Sequence, residues 1–300
     1  MKQGLASRMK KVLITGIDSF TGIHLSYHLK NNGYDVYGTS LFTEDIKIYK
    51  CDITAKKDIQ NVFNEIKPDY LIHLSGISYA AHENNEDFYK VNTIGVTNIL
   101  DVLLELNLAP KKIILASSAT VYGNQGLEIL DESLCPMPAN HYGASKYAME
   151  CLAKAYFDKL PIIITRPFNY TGIGQSEHFL IPKIIKHFRE KKQTIELGNI
   201  DVSREFNDVD FMCEVYKRLL ECKAKNEVVN ICSGRGIKLL DVVEIMDEIA
   251  GYKINIEINQ AFVRKNEIKS LTGSTNKLFS IVGVVEPKDF KATLAEMYND

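Results

Sequence analysis

Long apolar runs, a strong net charge, clustered cysteines and internal repeats are all missing from this chain. Its longest apolar stretches are only strand-sized, which excludes a membrane-spanning helix. Lysine and arginine number 36 against 38 acidic residues, a formal net charge of −2. That balance leaves no electrostatic footprint for nucleic acid or an anionic membrane. Six cysteines (Cys51, Cys135, Cys151, Cys213, Cys222 and Cys232) are scattered without metal-ligand spacing. Most sit in apolar surroundings, where a reduced cysteine behaves as a small core residue. No metal site and no disulfide are expected, and the chain reads as cytoplasmic. The N-terminus has no signal-peptide pattern. Met1 to Arg8 is polar and precedes a second methionine, Met9, so it reads as a disordered leader or an appended remnant. What remains is 300 residues, 45% hydrophobic and 25% charged. This is the make-up of a globular chain with one large or two closely joined domains.

Short apolar strands separated by helices fill the first half. Lys11 to Thr15, Val36 to Thr39, Ile46 to Asp52, Tyr70 to Gly76, Lys112 to Ser117 and Ile162 to Thr165 read as strands. A helix runs to Asn32, and others span Ala55 to Ile66, Asp87 to Leu106 and Tyr142 to Leu160. In the long helix Val91, Ile94, Ile99, Val102, Leu103 and Leu106 recur at helical spacing. Strands without polar alternation imply a parallel sheet covered on both faces, and the right-handed crossover rule makes a doubly wound α/β fold the simplest arrangement. After Arg166 the pattern changes to a turn-rich loop, helices at Ile181 to Lys192, Asp208 to Glu221 and Lys238 to Ala250, and short strands. The expected organisation is a dinucleotide-binding domain over 9–166 and a smaller substrate lobe over 167–300. Within that lobe 228–234 returns to the main sheet.

Two motifs carry chemistry. GIDSFTG, from Gly16 to Gly22, lies between the first strand and a helix, the context of a dinucleotide fingerprint. Gly16 permits the tight turn, and Gly22 lets the helix pack close to the strand. The helix start offers N–H groups and a positive dipole end to a pyrophosphate. Ser19 replaces the middle glycine, adding a Cβ and a hydroxyl that can donate to phosphate. The second motif joins Ser118 to Tyr142 and Lys146. The Tyr and Lys share one helix face, about one turn apart. An ammonium beside a phenol favours the phenolate, so Lys146 is expected to lower the tyrosine pKa from about 10. Such a tyrosine exchanges a proton with a sugar or ketone oxygen that the serine hydroxyl also holds.

With these residues in place, the chain resembles an extended short-chain dehydrogenase/reductase acting on nucleotide sugars, over about Lys10 to Tyr298. Within that group it is most similar to the GDP-6-deoxy-4-keto-mannose reductases, which make GDP-rhamnose. RPFNYTGIGQ (166–175), LGNIDVSREFNDVD (197–210), NICSGRG (230–236) and FVRKNEIKSLTGS (262–274) carry the closer similarity. The resemblance implies a Rossmann fold with an interleaved C-terminal lobe, and Ser118, Tyr142 and Lys146 as catalytic residues. It implies cofactor contacts at Gly16, Ser19, Phe20, Gly22, Ser40, Asp52, Ile53, Leu74, Ser75, Gly76 and Asn92, shared with Tyr142 and Lys146. Thr120, Asn169, Arg204, Arg264 and Glu267 would meet a GDP-linked sugar. A homodimer and a place in surface-polysaccharide sugar supply are further implications.

Ala119 and Thr120 stand where the family's dehydratases place an acid pair, so no carboxyl is available to protonate a leaving 6-hydroxyl. Reduction of a C4 ketone is the first reading. A C4 dehydrogenase or 4-epimerase of a GDP-hexose or GDP-heptose would use the same residues, and Thr120 resembles the epimerases. A non-catalytic cofactor sensor is disfavoured by the intact Ser-Tyr-Lys set. An acid ending the second strand would bind the ribose 2′-hydroxyl of NAD and repel the 2′-phosphate of NADP. Ser40 occupies that end, with Thr39 and Lys47 available to a phosphate, so NADP is favoured over NAD. Asp52 reads equally as a turn cap, and His73 as a core residue. His82 and His141 flank the expected cleft. The basic face of Lys183, Lys186, His187, Arg189, Lys191 and Lys192 reads as solvated.

Overall fold

Lys11–Thr15 (β1) carries apolar residues without alternation, and its Val12, Leu13 and Ile14 are fully buried. A strand covered on both faces needs such a run. The computed structural model describes residues 8–78, 82, 84–263 and 267–300. After β1 come Asp35–Ser40 (β2), Ile48–Lys50 (β3), Tyr70–His73 (β4), Lys112–Ala116 (β5) and Ile162–Pro167 (β6). Tyr170–Thr171 (β7), Thr194–Leu197 (β8), Ser203–Glu205 (β9), Asn207–Asp208 (β10), Glu227–Ile231 (β11), Gly236–Lys238 (β12), Asn255–Ile258 (β13) and Ser270–Leu271 (β14) follow. Seven of them form a parallel sheet of order β11-β6-β5-β4-β1-β2-β3. The order reverses beside β1, as a doubly wound fold requires. The helices are Phe20–Asn31 (α1), Lys56–Ile66 (α2), Asn85–Tyr89 (α3), Gly95–Glu105 (α4), His141–Lys154 (α5), Leu180–Arg189 (α6), Val209–Glu221 (α7), Leu239–Ala250 (α8), Asn276–Val282 (α9) and Phe290–Asn299 (α10). Among the described residues no helix is long and apolar enough to cross a membrane, and no group of three or more His, Cys, Asp or Glu is placed to hold a metal.

The chain folds as two compact units. One comprises the described residues within Met1–Ala116, Ala148–Ile164 and Ala224–Glu227. The other comprises those within Ser117–Tyr147, Thr165–Lys223 and Val228–Asp300.

In the first unit α2 buries Ile59, Val62, Phe63 and Ile66, one stripe at helical spacing. Each such side chain contributes about 1.5–3 kcal/mol. The helix expected over Asp87 to Leu106 is instead α3, a π-turn at Lys90–Ile94, and α4. The π-turn takes an extra residue into the turn and changes which side chains are buried around it. Asn92 and Thr93 are buried, while Ile94, read from the sequence as a core residue, is half exposed. The third strand is shorter than expected because Lys47 turns through positive φ immediately before it. The helix expected to reach Leu160 stops at Lys154. There Tyr156 N–H donates to Ala153 and Phe157 N–H to Lys154, three residues back, replacing the α-helical pattern.

The second unit has an apolar cluster in which Ile181, Ile184, Ile185 and Phe188 of α6 pack with Val242 and Met246 of α8 and Leu294 of α10. Its polar hub is Glu205, fully buried at the end of β9. That carboxylate accepts from Gly273 N (2.7 Å), Ser233 N (2.7 Å), Asn207 Nδ2 (3.1 Å) and Ser233 Oγ (3.2 Å). Burial pushes its pKa up, against the pull of the Gly273 and Ser233 N–H groups. Glu205→Ala leaves two backbone N–H groups unanswered, and the expected loss is about 3 kcal/mol of unfolding free energy. An unchanged urea midpoint would refute this. Cys51, Cys213 and Cys232 are buried and Cys222 half-buried, but Cys135 and Cys151 are exposed. The apolar surroundings expected for most of the six therefore hold for half of them. Burial raises the Cys51 thiol to about 12, which keeps it an inert core residue.

Candidate active site

In the first unit the Gly-rich turn has no room for a side chain at either of its glycines. Gly16 adopts φ +68, and a Cβ there would lie 2.9 Å from Ser75 N. A Cβ on Gly22 would lie 2.4 Å from Gly16 O. Ser19 caps α1: its Oγ accepts from Gly22 N (3.1 Å) and donates to Gly16 O (2.7 Å). The hydroxyl proton expected to serve phosphate is therefore spent inside the turn, on the Gly16 carbonyl. Phe20 opens α1 and its ring meets His24 edge-on at 5.1 Å.

The loop after β4 is tied to this turn. Leu74 N donates to Thr15 O (3.1 Å) and Ser75 N to Thr15 Oγ1 (3.3 Å). His73, fully buried, shares a 2.7 Å hydrogen bond through Nδ1 with the same Thr15 hydroxyl. Just after Gly76, Asn92 clamps Ile77, with Oδ1 accepting from its N–H (2.8 Å) and Nδ2 donating to its carbonyl (3.1 Å). The buried polar residue at the π-turn thus fixes the loop. Asp52 Oδ1 accepts from Thr54 N and Thr54 Oγ1, each at 2.8 Å, so its carboxylate shapes the turn before α2. Ile53 is buried, with its carbonyl accepting from Asn98 Nδ2 at 3.2 Å. At the end of β2, Ser40 is buried and hydrogen-bonded to the Asp18 carboxylate. The expected absence of a carboxylate at this strand end does not hold, because the Gly-rich turn delivers one from Asp18. A turn without room for Cβ atoms, a helix start capped by Ser19 and a tethered Leu74–Ile77 segment all suit a dinucleotide.

The catalytic set lies in the second unit. Ser118 follows β5 and caps the 3₁₀ turn at Ala119–Tyr122. Tyr142 and Lys146 stand one turn apart on α5, which Asn140 caps by accepting from Gly143 N at 2.8 Å. Gly143 makes the approach possible, since a Cβ there would lie 2.9 Å from Thr120 O. The Tyr142 phenol and Ser118 hydroxyl are hydrogen-bonded. Ser118 and Lys146 are both buried. Ser118 Oγ also accepts from Thr120 Oγ1 (2.9 Å) and Thr120 N (3.2 Å). With two donors filling its lone pairs, its single proton is directed to the tyrosine oxygen. Thr120, read from the resemblance as a substrate contact, thereby also orients the serine. Thr120→Val should lower kcat roughly 3–10-fold, the worth of one hydrogen bond, and Thr120→Ser should restore it. Equal kcat in the two variants would remove that role.

Burial raises the Tyr142 pKa, with the Ser118 hydrogen bond acting the other way. The expected lowering by Lys146 is thus overturned: the penalty of placing a phenolate among protein atoms dominates.

Among the residues implied to bind a nucleotide sugar, Asn169 is exposed beside β7, and its carbonyl accepts from Asn207 N at 2.9 Å. Arg204 Nη2 meets Glu267 Oε1 at 2.7 Å and also donates to Ile268 O, while its Nη1 donates to Ser203 O (2.8 Å) and Lys269 O (3.3 Å). Arg264 lies outside the described residues. His82 Nε2 is 3.1 Å from Asp87 Oδ2, and His141 is exposed at the start of α5. On the basic helix Lys183 does not simply face water. It donates to Glu196 O (2.8 Å) and covers the Phe262 ring at 4.4 Å. Sequence reasoning missed Asp18, Gly143 and Glu205. The first two lie inside motifs already singled out, so an acid in the turn and a glycine beside the tyrosine were the available signals.

The NAD dependent epimerase/dehydratase family profile matches residues 12–232. A GDP-6-deoxy-D-talose 4-dehydrogenase from Aggregatibacter actinomycetemcomitans is 36% identical over 97% of each chain. A GDP-6-deoxy-D-mannose reductase from Pseudomonas aeruginosa is 28% identical over 97% of each. The solved structure of RMD from Pseudomonas aeruginosa complexed with NADPH superposes with a TM-score of 0.85, at 27% identity and 97% coverage of both chains.

Proposed function

The chain belongs to the NAD dependent epimerase/dehydratase family, and from that premise we propose an NAD(P)-dependent oxidoreductase that reduces the C4 ketone of a GDP-4-keto-6-deoxyhexose. The observation that carries this reading is the hydrogen-bonded Ser118–Tyr142 pair with Lys146 one turn on and no carboxylate at positions 119 and 120. Hydride exchange with C4 is the chemistry a nicotinamide cofactor supplies when held by Gly16, Ser19, Phe20, Gly22, Leu74, Ser75 and Gly76. Tyr142 gives its proton to the oxygen at C4. Ser118, its lone pairs filled by Thr120, turns its proton from the phenol to the same oxygen when substrate is bound, and Lys146 places a positive charge beside the phenol as it loses the proton. Asn169, Arg264 and Glu267 are assigned to the nucleotide sugar. Arg204 joins them by exchanging its Glu267 contact for phosphate, which its planar fork suits. On this reading the enzyme is a cytoplasmic homodimer serving surface-polysaccharide sugar supply.

A second reading runs the same groups backwards, as a C4 dehydrogenase with Tyr142 taking the proton. The name of the Aggregatibacter relative favours it. The test is oxidation of NADH and NADPH by the purified protein on addition of GDP-4-keto-6-deoxymannose, with the product's C4 configuration assigned by NMR. A GDP-6-deoxyhexose product supports the reductase. No turnover in that direction, with reduction of NAD or NADP by a GDP-6-deoxyhexose, would replace it with the dehydrogenase.

A further inference from the structure

The end of β2 is where a parallel-sheet dinucleotide site reads the adenosine ribose, and three side chains there are already committed. Ser40 is buried, and its Oγ accepts from Phe42 N and Thr43 N, each at 3.0 Å. Its proton is donated to Asp18 Oδ2. Lys47, the cation nearest in sequence, has Nζ 2.5 Å from Asp35 Oδ1 and 5.1 Å from the centre of the Tyr37 ring. Asp18 itself is exposed in the turn between β1 and α1. The strand end therefore presents a solvent-facing carboxylate, a serine hydroxyl with its proton spent, and a lysine already neutralised.

Resting on the oxidoreductase reading above, we infer that Asp18 selects NAD(H) over NADP(H). Its carboxylate accepts the ribose 2′-hydroxyl, a neutral donor. A 2′-phosphate offers no proton to it and brings about −1.5 to −2 charges. Ser40 holds the carboxylate in place and has no proton left for phosphate oxygens. The selecting acid thus comes from the phosphate-binding turn and not from the strand that the ribose follows.

Titrating the purified protein with NADH and with NADPH, and following nicotinamide fluorescence, tests this without any sugar substrate. NADH should bind at least about tenfold more tightly than NADPH, and the gap should narrow as salt screens the repulsion. Asp18→Asn keeps an acceptor for Ser40, so α1 and the turn should persist by circular dichroism. In that variant NADPH affinity should rise roughly tenfold, by removal of one charge pair, and NADH affinity should fall, because its 2′-hydroxyl exchanges a charged acceptor for a neutral one. Equal affinities in the unaltered protein, an NADH:NADPH ratio that Asp18→Asn does not move, or binding of neither cofactor would overturn the inference. Selective NADH binding with no turnover of any GDP-linked sugar would remove the oxidoreductase assignment and leave this one standing.

Discussion

Tyr142→Phe is expected to lower kcat by about 10²–10⁴-fold with cofactor affinity unchanged. The phenylalanine keeps the ring and the start of α5 and removes only the oxygen that Ser118 contacts. The hydroxyls beside it are engaged with one another. Ser118 has two lone pairs filled by Thr120, and Thr120 donates its own proton to Ser118. A variant that keeps most of its turnover would remove Tyr142 from the mechanism, and both directions of the proposed reaction with it. The pH dependence follows from the raised phenol. At neutral pH Tyr142 is protonated, so reduction needs no prior ionisation. Reductive kcat should stay level through neutrality and fall as pH rises towards a phenol pKa above the ordinary value of about 10. The oxidative direction needs the phenolate, so its rate should climb over the same range. A reductive rate that peaked below neutrality would show that another group supplies the proton.

Gly22→Ala should cost about 1–3 kcal/mol or more through overpacking and abolish dinucleotide binding. The added methyl would meet Gly16 O at 2.4 Å and Ile17 O at 2.6 Å, and both are backbone atoms with no rotamer to change. Relief requires α1 to move off β1, carrying the Ser19 cap and its N–H groups with it. Gly33→Ala is the matched control. That glycine, at φ +81, has nothing within 4 Å of a built Cβ, so only conformational strain of about 1–2 kcal/mol is added. Thermal melts and nicotinamide fluorescence should separate the two, with binding kept in the Gly33 variant alone. Wild-type affinity in Gly22→Ala would mean that the close helix–strand packing is dispensable.

The legible part of this protein was what depends on local spacing. Buried strands announce themselves as unbroken apolar runs, and Tyr142 and Lys146 at four residues apart need only a helix to share a face. The Gly-rich turn was equally plain, because Gly16 and Gly22 stand where a Cβ has no room. Less legible was anything that depends on what lies opposite. Ile94 and Asn92 fit the period of an α-helix, and only the π-turn, stabilised by the Ile77 clamp, changes which of them is buried. Position 40 carries no acid on its own strand, whereas the carboxylate arrives from Asp18, 22 residues earlier. The lysine neighbour of Tyr142 is visible in the sequence, but burial, a tertiary property, sets the direction of its pKa. Glu205 sat unnoticed beside Arg204, although its four donors come from three separate segments.

Two asparagines of the helical stretch that begins at Asn85 each hold a loop. Asn92 holds the loop beyond β4, and Asn98 Nδ2 reaches the carbonyls of Ile53 and Thr54 beyond β3, each at 3.2 Å. The angle between these two asparagines is set by the π-turn, since one residue more or less rotates everything after it by about 100°. The two loops are therefore geared together: a change of length between Lys90 and Ile94 would disengage one whenever it kept the other. This stretch of chain should tolerate many substitutions on its outer face and no insertion or deletion at all.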